Sequence, residues 1–284
     1  MAKNQFLAIM KAMIFDGKKC AQEIKDSLKT EFLTLPKKPR LDIIYAGSDP
    51  AIESFLRMKI RVGEDIGAET IVHRFPANIA EKDLISEISK TTADPISDGT
   101  IVQLPLPVGL NVNNVLDALP PEKDVDVLSN KALDLFSEGR IRTAPPVAGA
   151  MLEIFKKNNI DIQGKNAVVL GKGRLVGLPA SFCLKRAGAN VTDLNSATGD
   201  PTPYLLKADI IISGIGKAHF IKPDMIRDGV ILIDCGTSES SAGIAGDADP
   251  TCAEKCSLFT PVPGGVGPMT VALIYKNLMT LMKK

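Results

Sequence analysis

Lys59 and Phe55 stand four residues apart in SDPAIESFLRMKI, so a helix there presents both on one face. A lysine in a cleft, its pKa lowered by desolvation, can exchange protons near neutral pH. On an open amphipathic helix the same residue is only a solvated charge. Gln103 closes the apolar part of GTIVQLPLP, where Pro105 and Pro107 stop a sheet ladder. That leaves Gln103 near a strand's carboxyl edge, where open α/β sheets bind ligands. KDVDVL adds Asp124 and Asp126, two apart, so an extended loop can aim both carboxylates in one direction.

A second set of residues offers backbone rather than side chains. In VVLGKGRLVGLP, Gly171 and Gly173 directly follow a Val/Leu run and precede a helical segment. Bare N–H groups at a helix entry approach phosphates closely, and the helix end adds partial positive charge. Gly177 comes one position later than the usual dinucleotide spacing, so a tight β–α turn is the competing reading. Asp193 lies about 20 residues on, where an acid favours NAD by bonding ribose hydroxyls; Lys172 and Ser196 could instead hold a 2′-phosphate. The residues alone leave that choice open. TPVPGGVGPMT, Thr260 to Thr270, is too rich in proline and glycine for helix or strand, yet MTVALIYKNLMTLMKK follows with helical character.

Histidine and cysteine usage narrows the chemistry. His73 and His219 are the only histidines, so proton transfer falls mainly to Lys, Asp, Glu or water, and both read as structural or surface residues. Five scattered cysteines suggest reduced thiols, and Cys252 and Cys256, one helical turn apart, have no evident further metal ligands. No metal site is expected.

The elements that must position these groups alternate along the chain. Strands are expected at 40–47, 69–75, 99–106, 166–172, 189–194, 209–216 and 230–236, with amphipathic segments such as CAQEIKDSLKTEFLTL and AIESFLRMKIRVGEDIG between them. This pattern predicts βαβ units and parallel sheets buried on both faces. The turn-rich SEGRIRTAPP and the helical VAGAMLEIFKKNNID mark a division near residue 145. The first nine residues, ahead of Met10 and Met13, read as an upstream start or a remnant and carry no function. An apolar fraction of 45%, a charged fraction of 24% and a net charge of +1 suit a cytoplasmic globular protein, and give no reason to expect nucleic acid or a membrane as partner.

Together these pieces resemble one family, the bifunctional methylenetetrahydrofolate dehydrogenase/methenyltetrahydrofolate cyclohydrolases. The resemblance runs from about Ile14 to the C-terminus. It includes FDGKK, GSDPA-x-x-x-F-x-x-x-K, DGTIVQLPLP, PEKDVD, VVLGKGRLVGLP, IDCG, GDAD and TPVPGGVGPMT, the last matching the family signature throughout. It implies a two-domain α/β fold with the active site in the interdomain cleft. An N-terminal α/β domain with a parallel sheet would span 1–144, completed by a C-terminal helix at 268–284, and a Rossmann-like NAD(P)-binding domain would span 145–267.

The implied activity is NADP-dependent oxidation of 5,10-methylenetetrahydrofolate and then hydrolysis of the methenyl product to 10-formyltetrahydrofolate, with NAD the alternative cofactor. Lys59 matches the family's catalytic lysine, Gln103 its partner and Asp126 the aspartate that holds the pterin. Phe55, Leu104, Pro263, Gly264 and Gly267 match the folate side. Gly171, Lys172, Gly173, Ser196, Gly214, Gly216, Cys235, Thr237 and Thr270 match positions along the cofactor. The resemblance also implies a homodimer.

Some positions depart from the family pattern. Phe55 stands where tyrosine is common, which leaves ring stacking but removes a hydroxyl, so cyclohydrolase is expected to be the more vulnerable activity. Lys172 replaces a frequent arginine and Gly173 a frequent serine; the charge is kept but the bidentate fork is lost. Val127 replaces the glycine that often follows KDVD, and APPVAG departs from the usual PCTPxG. A dehydrogenase with weak or lost cyclohydrolase, and a catalytically silent dinucleotide-binding sensor, are the competing readings. The latter has no need of Lys59 or of the QLPLP edge.

Overall fold

The structure, a computed structural model, describes residues 13–240 and 243–283, so the nine residues set aside above lie outside it. The chain begins with β1 (Met13–Ile14), α1 (Gly17–Phe32), β2 (Arg40–Ala46), α2 (Pro50–Ile66), β3 (Glu69–Phe75), α3 (Glu81–Ala93) and β4 (Gly99–Val102). Three helices follow, α4 (Val112–Asp117), α5 (Asn130–Ser137) and α6 (Pro146–Lys157). Then come β5 (Asn166–Leu170), α7 (Gly177–Arg186), β6 (Asn190–Leu194), α8 (Thr202–Leu205), β7 (Ile210–Ser213) and β8 (Val230–Asp234). The last elements are β9 (Ser238–Ser240), β10 (Gly243–Ala245), β11 (Cys256–Phe259) and α9 (Val266–Met282).

Two compact units emerge: residues 19–149 with 270–283, and residues 13–18 with 150–269. In the first, β3, β2 and β4 form a parallel three-stranded sheet in that order. β2 is central and almost wholly apolar, as a strand covered on both faces requires. Ile44, Leu84, Ile88, Val102, Val115 and Leu116 are among the residues that build one core of this unit. Buried Asp42, the exception on β2, is paired by Arg40 at 2.9 Å and by His73 at 2.7 Å, which accounts for one histidine structurally.

In the second unit six parallel strands run in the order β1-β11-β8-β7-β5-β6. The chain leaves β5 for β6 on one side and later returns to β7 on the other. The gap between the loops after β5 and β7 is therefore the topological switch point, where doubly wound sheets bind ligands. Val168, Leu170, Leu194, Ile211, Leu232 and Phe259 belong to the core on one face.

All seven expected strands form, but four others were not anticipated. β1 has two residues, and the antiparallel hairpin β9–β10 and β11 are short. β4 stops at Val102, earlier than the expected 106, and Pro105 and Pro107 beyond it have no N–H to extend the ladder. α9 starts at Val266 rather than 268, with Pro268 in its first turn, where a missing N–H loses no intrahelical bond.

Candidate active site

α2 brings the lysine into place. Asp49 caps it by accepting from the amides of Ala51 and Ile52, Pro50 opens it, and Gly67 at φ 90° closes it. Its buried stripe is Leu56, Lys59, Gly63 and Ile66, so the lysine occupies a core position of an amphipathic helix. Phe55, one turn earlier, is 52% exposed. The Lys59 Nζ donates to Gln103 Oε1 at 2.6 Å, while Gln103 Nε2 donates to the Leu104 carbonyl at 2.6 Å. The second bond decides the amide's orientation: with nitrogen committed to Leu104, oxygen must face the lysine. Gln103 is itself fixed through its backbone N–H, which donates to Ile44 O on β2 at 2.9 Å. Burial lowers the Lys59 pKa below its ordinary value, and the nearby Asp126 charge draws it partly back up.

Asp124 and Asp126 take different roles despite their spacing. Asp124 is fully buried and accepts from the amides of Leu128 and Ser129 at 3.0 and 2.8 Å, holding the turn into α5. Burial pushes its carboxyl up to about 6, against the downward pull of those bonds. Asp126 is the carboxylate that couples to Lys59; burial raises its pKa and the lysine lowers it. Between them the Val125 N–H donates to Thr100 O at 3.2 Å, which aligns this loop beside β4. Val127 follows at φ 55°, fully buried, a left-handed conformation that a β-branched residue rarely adopts.

Two residues of α9 support the same unit without having been anticipated. Tyr275 donates to the Lys59 carbonyl at 2.6 Å and shares a 2.7 Å bond with Thr70. Asn277 Nδ2 donates to the carbonyls of Val125 at 2.8 Å and Ala144 at 2.7 Å. In the sequence both look like polar interruptions of an apolar helix; their partners lie more than 100 positions away.

The second unit places a cavity of about 340 Å³ at the switch point. Gly173, Gly214, Gly216, Cys235 and Thr237 line it as expected, together with Arg174, Leu175, Val176, Ile215 and Gly236, which were not. Gly177 explains the tightness of the first loop: a Cβ there would lie 1.8 Å from the Gly171 carbonyl oxygen. The shifted third glycine therefore serves close packing of helix entry on loop, and the loop's outer glycine, Gly173, faces open space. A pyrophosphate suits such a cradle, at a helix entry lined in part by glycine and with Arg174 in the lining. Lys172 and Ser196 are exposed outside the cavity lining, and Gly171 packs on the Gly214 carbonyl. Burial, then Asp234 and Asp247, raise the Cys235 thiol pKa, which disfavours the thiolate.

Pro263, Gly264 and Gly267 lie in this second unit, in the turn ahead of α9 and its first residues. The Gly264 carbonyl accepts from Gly17 N–H at 3.0 Å, and Gly265 N–H donates back to Pro261 O at 2.7 Å. Thr270 falls in the first unit, on α9.

Two family models match the chain. The tetrahydrofolate dehydrogenase/cyclohydrolase catalytic domain covers residues 15–126, and the NAD(P)-binding domain of the same family covers 145–284. The chain belongs to this family. Among tetrahydrofolate dehydrogenase/cyclohydrolases, the Bifunctional protein FolD of Nautilia profundicola is 39% identical over 95% of this chain and 97% of its own. That of Nitratiruptor sp. is 37% identical over 95% and 98%. The crystal structure of bifunctional FolD from Campylobacter jejuni superimposes with a TM-score of 0.93 at 32% identity, covering 96% of this chain and 99% of that one. The Trypanosoma brucei enzyme, complexed with NADP cofactor and inhibitor, gives 0.90 at 29% identity over 96% and 97%. The two-domain α/β fold with parallel sheets is thus the family's fold. Of the residues missed, Arg174, Leu175 and Val176 lie inside VVLGKGRLVGLP and Gly236 closes IDCG, so the motifs carried a signal for them. Tyr275 and Asn277 lie in no such motif.

Proposed function

We propose that this chain is a bifunctional folate enzyme, which oxidises 5,10-methylenetetrahydrofolate to the methenyl form with NADP and hydrolyses that product to 10-formyltetrahydrofolate. The observation that carries the reading is the buried Lys59 held by Gln103 and coupled to Asp126, inside the family's catalytic domain. The dinucleotide supplies the hydride acceptor. The protein's part in that step is positioning, because nitrogen lone pairs on the substrate support the cation as hydride leaves.

Hydrolysis needs proton transfer. Burial of Lys59 lowers its pKa and so favours the neutral amine, the form that takes a proton from the water attacking the methenyl carbon. It returns that proton to the ring nitrogen as the carbon–nitrogen bond breaks, and overall one proton is released. Gln103 aims the lysine without adding charge, and Asp126 accepts from pterin N–H groups. Phe55 offers an exposed ring face to the substrate.

NADP over NAD is supported by the fate of Asp193. Its carboxylate is paired with Lys185 Nζ at 2.7 Å. Lys185 sits in the last turn of α7, at the far end of that helix from the glycine loop. The acid that sequence spacing assigns to a ribose is therefore drawn along the helix and its charge offset, while Lys172 and Ser196 stand exposed for a 2′-phosphate. Among the described residues no helix is long and apolar enough to cross a membrane. A homodimer in the cytoplasm completes the proposal; light scattering should return twice the chain mass.

The test mixes protein, methylenetetrahydrofolate and NADP, following NADPH and methenyl product separately. NADPH is expected without methenyl accumulation, with methenyl loss faster than in buffer. Lys59→Met is expected to lower hydrolysis by about 10²–10⁴ and leave hydride transfer measurable. Hydrolysis at the wild-type rate in that variant removes Lys59 from the mechanism.

A further inference from the structure

Asp247 belongs to neither the glycine loop nor the folate side, yet it touches two of the three segments that line the dinucleotide cavity. It is fully buried. Its Oδ2 accepts from Ser213 Oγ at 2.7 Å and from Ile215 N–H at 2.7 Å, and its Oδ1 accepts from Lys217 N–H at 2.8 Å. Those bonds wrap the segment after β7, in which Gly214, Ile215 and Gly216 line the cavity. The backbone of Asp247 engages the segment after β8. Its N–H donates to Asp234 Oδ1 at 3.1 Å, the same oxygen that accepts from Gly236 N–H at 2.9 Å. Ala248 N–H donates to the other oxygen of Asp234 at 2.8 Å. The fit leaves no slack: a Cβ on Gly236 would lie 2.1 Å from the Asp247 carboxyl carbon, and one on Gly246 would lie 2.2 Å from Asp234 Oδ2.

We infer that Asp247 is the positioning residue of the dinucleotide site, one carboxylate that sets the spacing of the β7 and β8 loops. The inference rests on the reading of that cavity as the NADP site. Three converging donors require an acceptor with two oxygens; an asparagine has one, and its amide hydrogens would face N–H groups. A hydrophobic residue would fill the space and strand all three donors. The carboxylate spends its bonds on Ser213, Ile215 and Lys217, so its influence passes through loop geometry. Loss of such a residue acts on binding of the cofactor more than on turnover once the cofactor is seated.

Asp247→Asn is expected to weaken NADP binding in calorimetry, and to raise its KM, about tenfold or more, with kcat at saturation falling less than about threefold. Hydrogen exchange of the Ile215 and Lys217 amides should quicken in the apo variant, which a distant structural defect does not produce selectively. Ser213→Ala keeps the carboxylate and removes one donor, so it is the milder version and should weaken NADP about threefold. If Asp247→Asn does not fold, Ser213→Ala decides. Unchanged NADP affinity and unchanged exchange at 215 and 217 overturn the inference. Failure of the wild-type chain to bind NADP at all is a different result, and sinks the reading of the cavity instead.

Discussion

The lysine region and the dinucleotide region are built by opposite means. Around Lys59 the chain adds polar side chains to a core: Gln103 bonds the buried lysine, Tyr275 bonds its helix, and the charge of Asp126 acts on it electrostatically. Around the cavity it subtracts them: Gly173, Gly214, Gly216 and Gly236 leave backbone as the lining. The first arrangement tunes a proton affinity, which needs burial and chosen neighbours. The second accommodates a large anionic ligand, which needs room and N–H groups. Errors should therefore act differently, on protonation and turnover in one region and on cofactor affinity in the other.

The harshest way to test that contrast is Gly177→Ala. Its Cβ would sit 1.8 Å from a backbone oxygen, so the loop must shift by about an ångström. A displacement of that size costs on the order of a hundredfold in kcat/KM with NADP, while hydrolysis of added methenyltetrahydrofolate continues. Equal losses in both assays would mean that the regions are not separable in this way.

A middle-sized effect concerns buried carboxylates, one in each region. Asp124 and Asp234 are both pushed up to about 6, mainly by burial. A carboxyl whose folded pKa exceeds its unfolded value gives stability that is full below the unfolded pKa and lost as pH rises through the folded one. For Asp124 the loss between about pH 4 and pH 7 amounts to about 3 kcal/mol. Asp124→Asn lacks this titration, so its melting temperature relative to wild type should improve as pH rises over that window. A constant difference at pH 4.5 and 7.5 would show that Asp124 is not perturbed as described.

The smallest effect separates strain from packing at Val127. Alanine there loses buried methyl groups, about 1–2 kcal/mol, and keeps the left-handed strain. Glycine loses slightly more burial but relieves about 1–2 kcal/mol of strain. Val127→Gly should thus melt no lower than Val127→Ala, the reverse of the ordinary order. Chemical denaturation of the pair decides it, and a clearly less stable glycine variant removes strain from the account.

Much of this was legible in one dimension. Parallel strands buried on both faces read as apolar runs, so all seven expected ones appeared. Lys59, Gln103 and Asp126 came from motif resemblance, not from their own chemistry, since each is individually ordinary. β1 escaped notice because two residues carry no pattern, and β11 because CSLF lacks the β-branched run of the equally short β4 and β7; a neighbour supplies the ladder for both. Asp193 shows the converse: an acid singled out by its spacing from the glycine loop is ion-paired with Lys185, which no spacing rule names.

The sequence by itself determined the strand and helix alternation, the glycine loop and the family, because these depend on local pattern and on residue types at fixed spacing. Only the tertiary structure decided which of Asp124 and Asp126 acts on the charge of the lysine and which way Gln103 points. It alone showed that Val127 is strained, and that Tyr275, Asn277 and Asp247 brace backbones far away in the chain. Those outcomes depend on burial and on partners brought close by folding. A carboxylate or an amide has no fixed role until its donors and acceptors are counted in space.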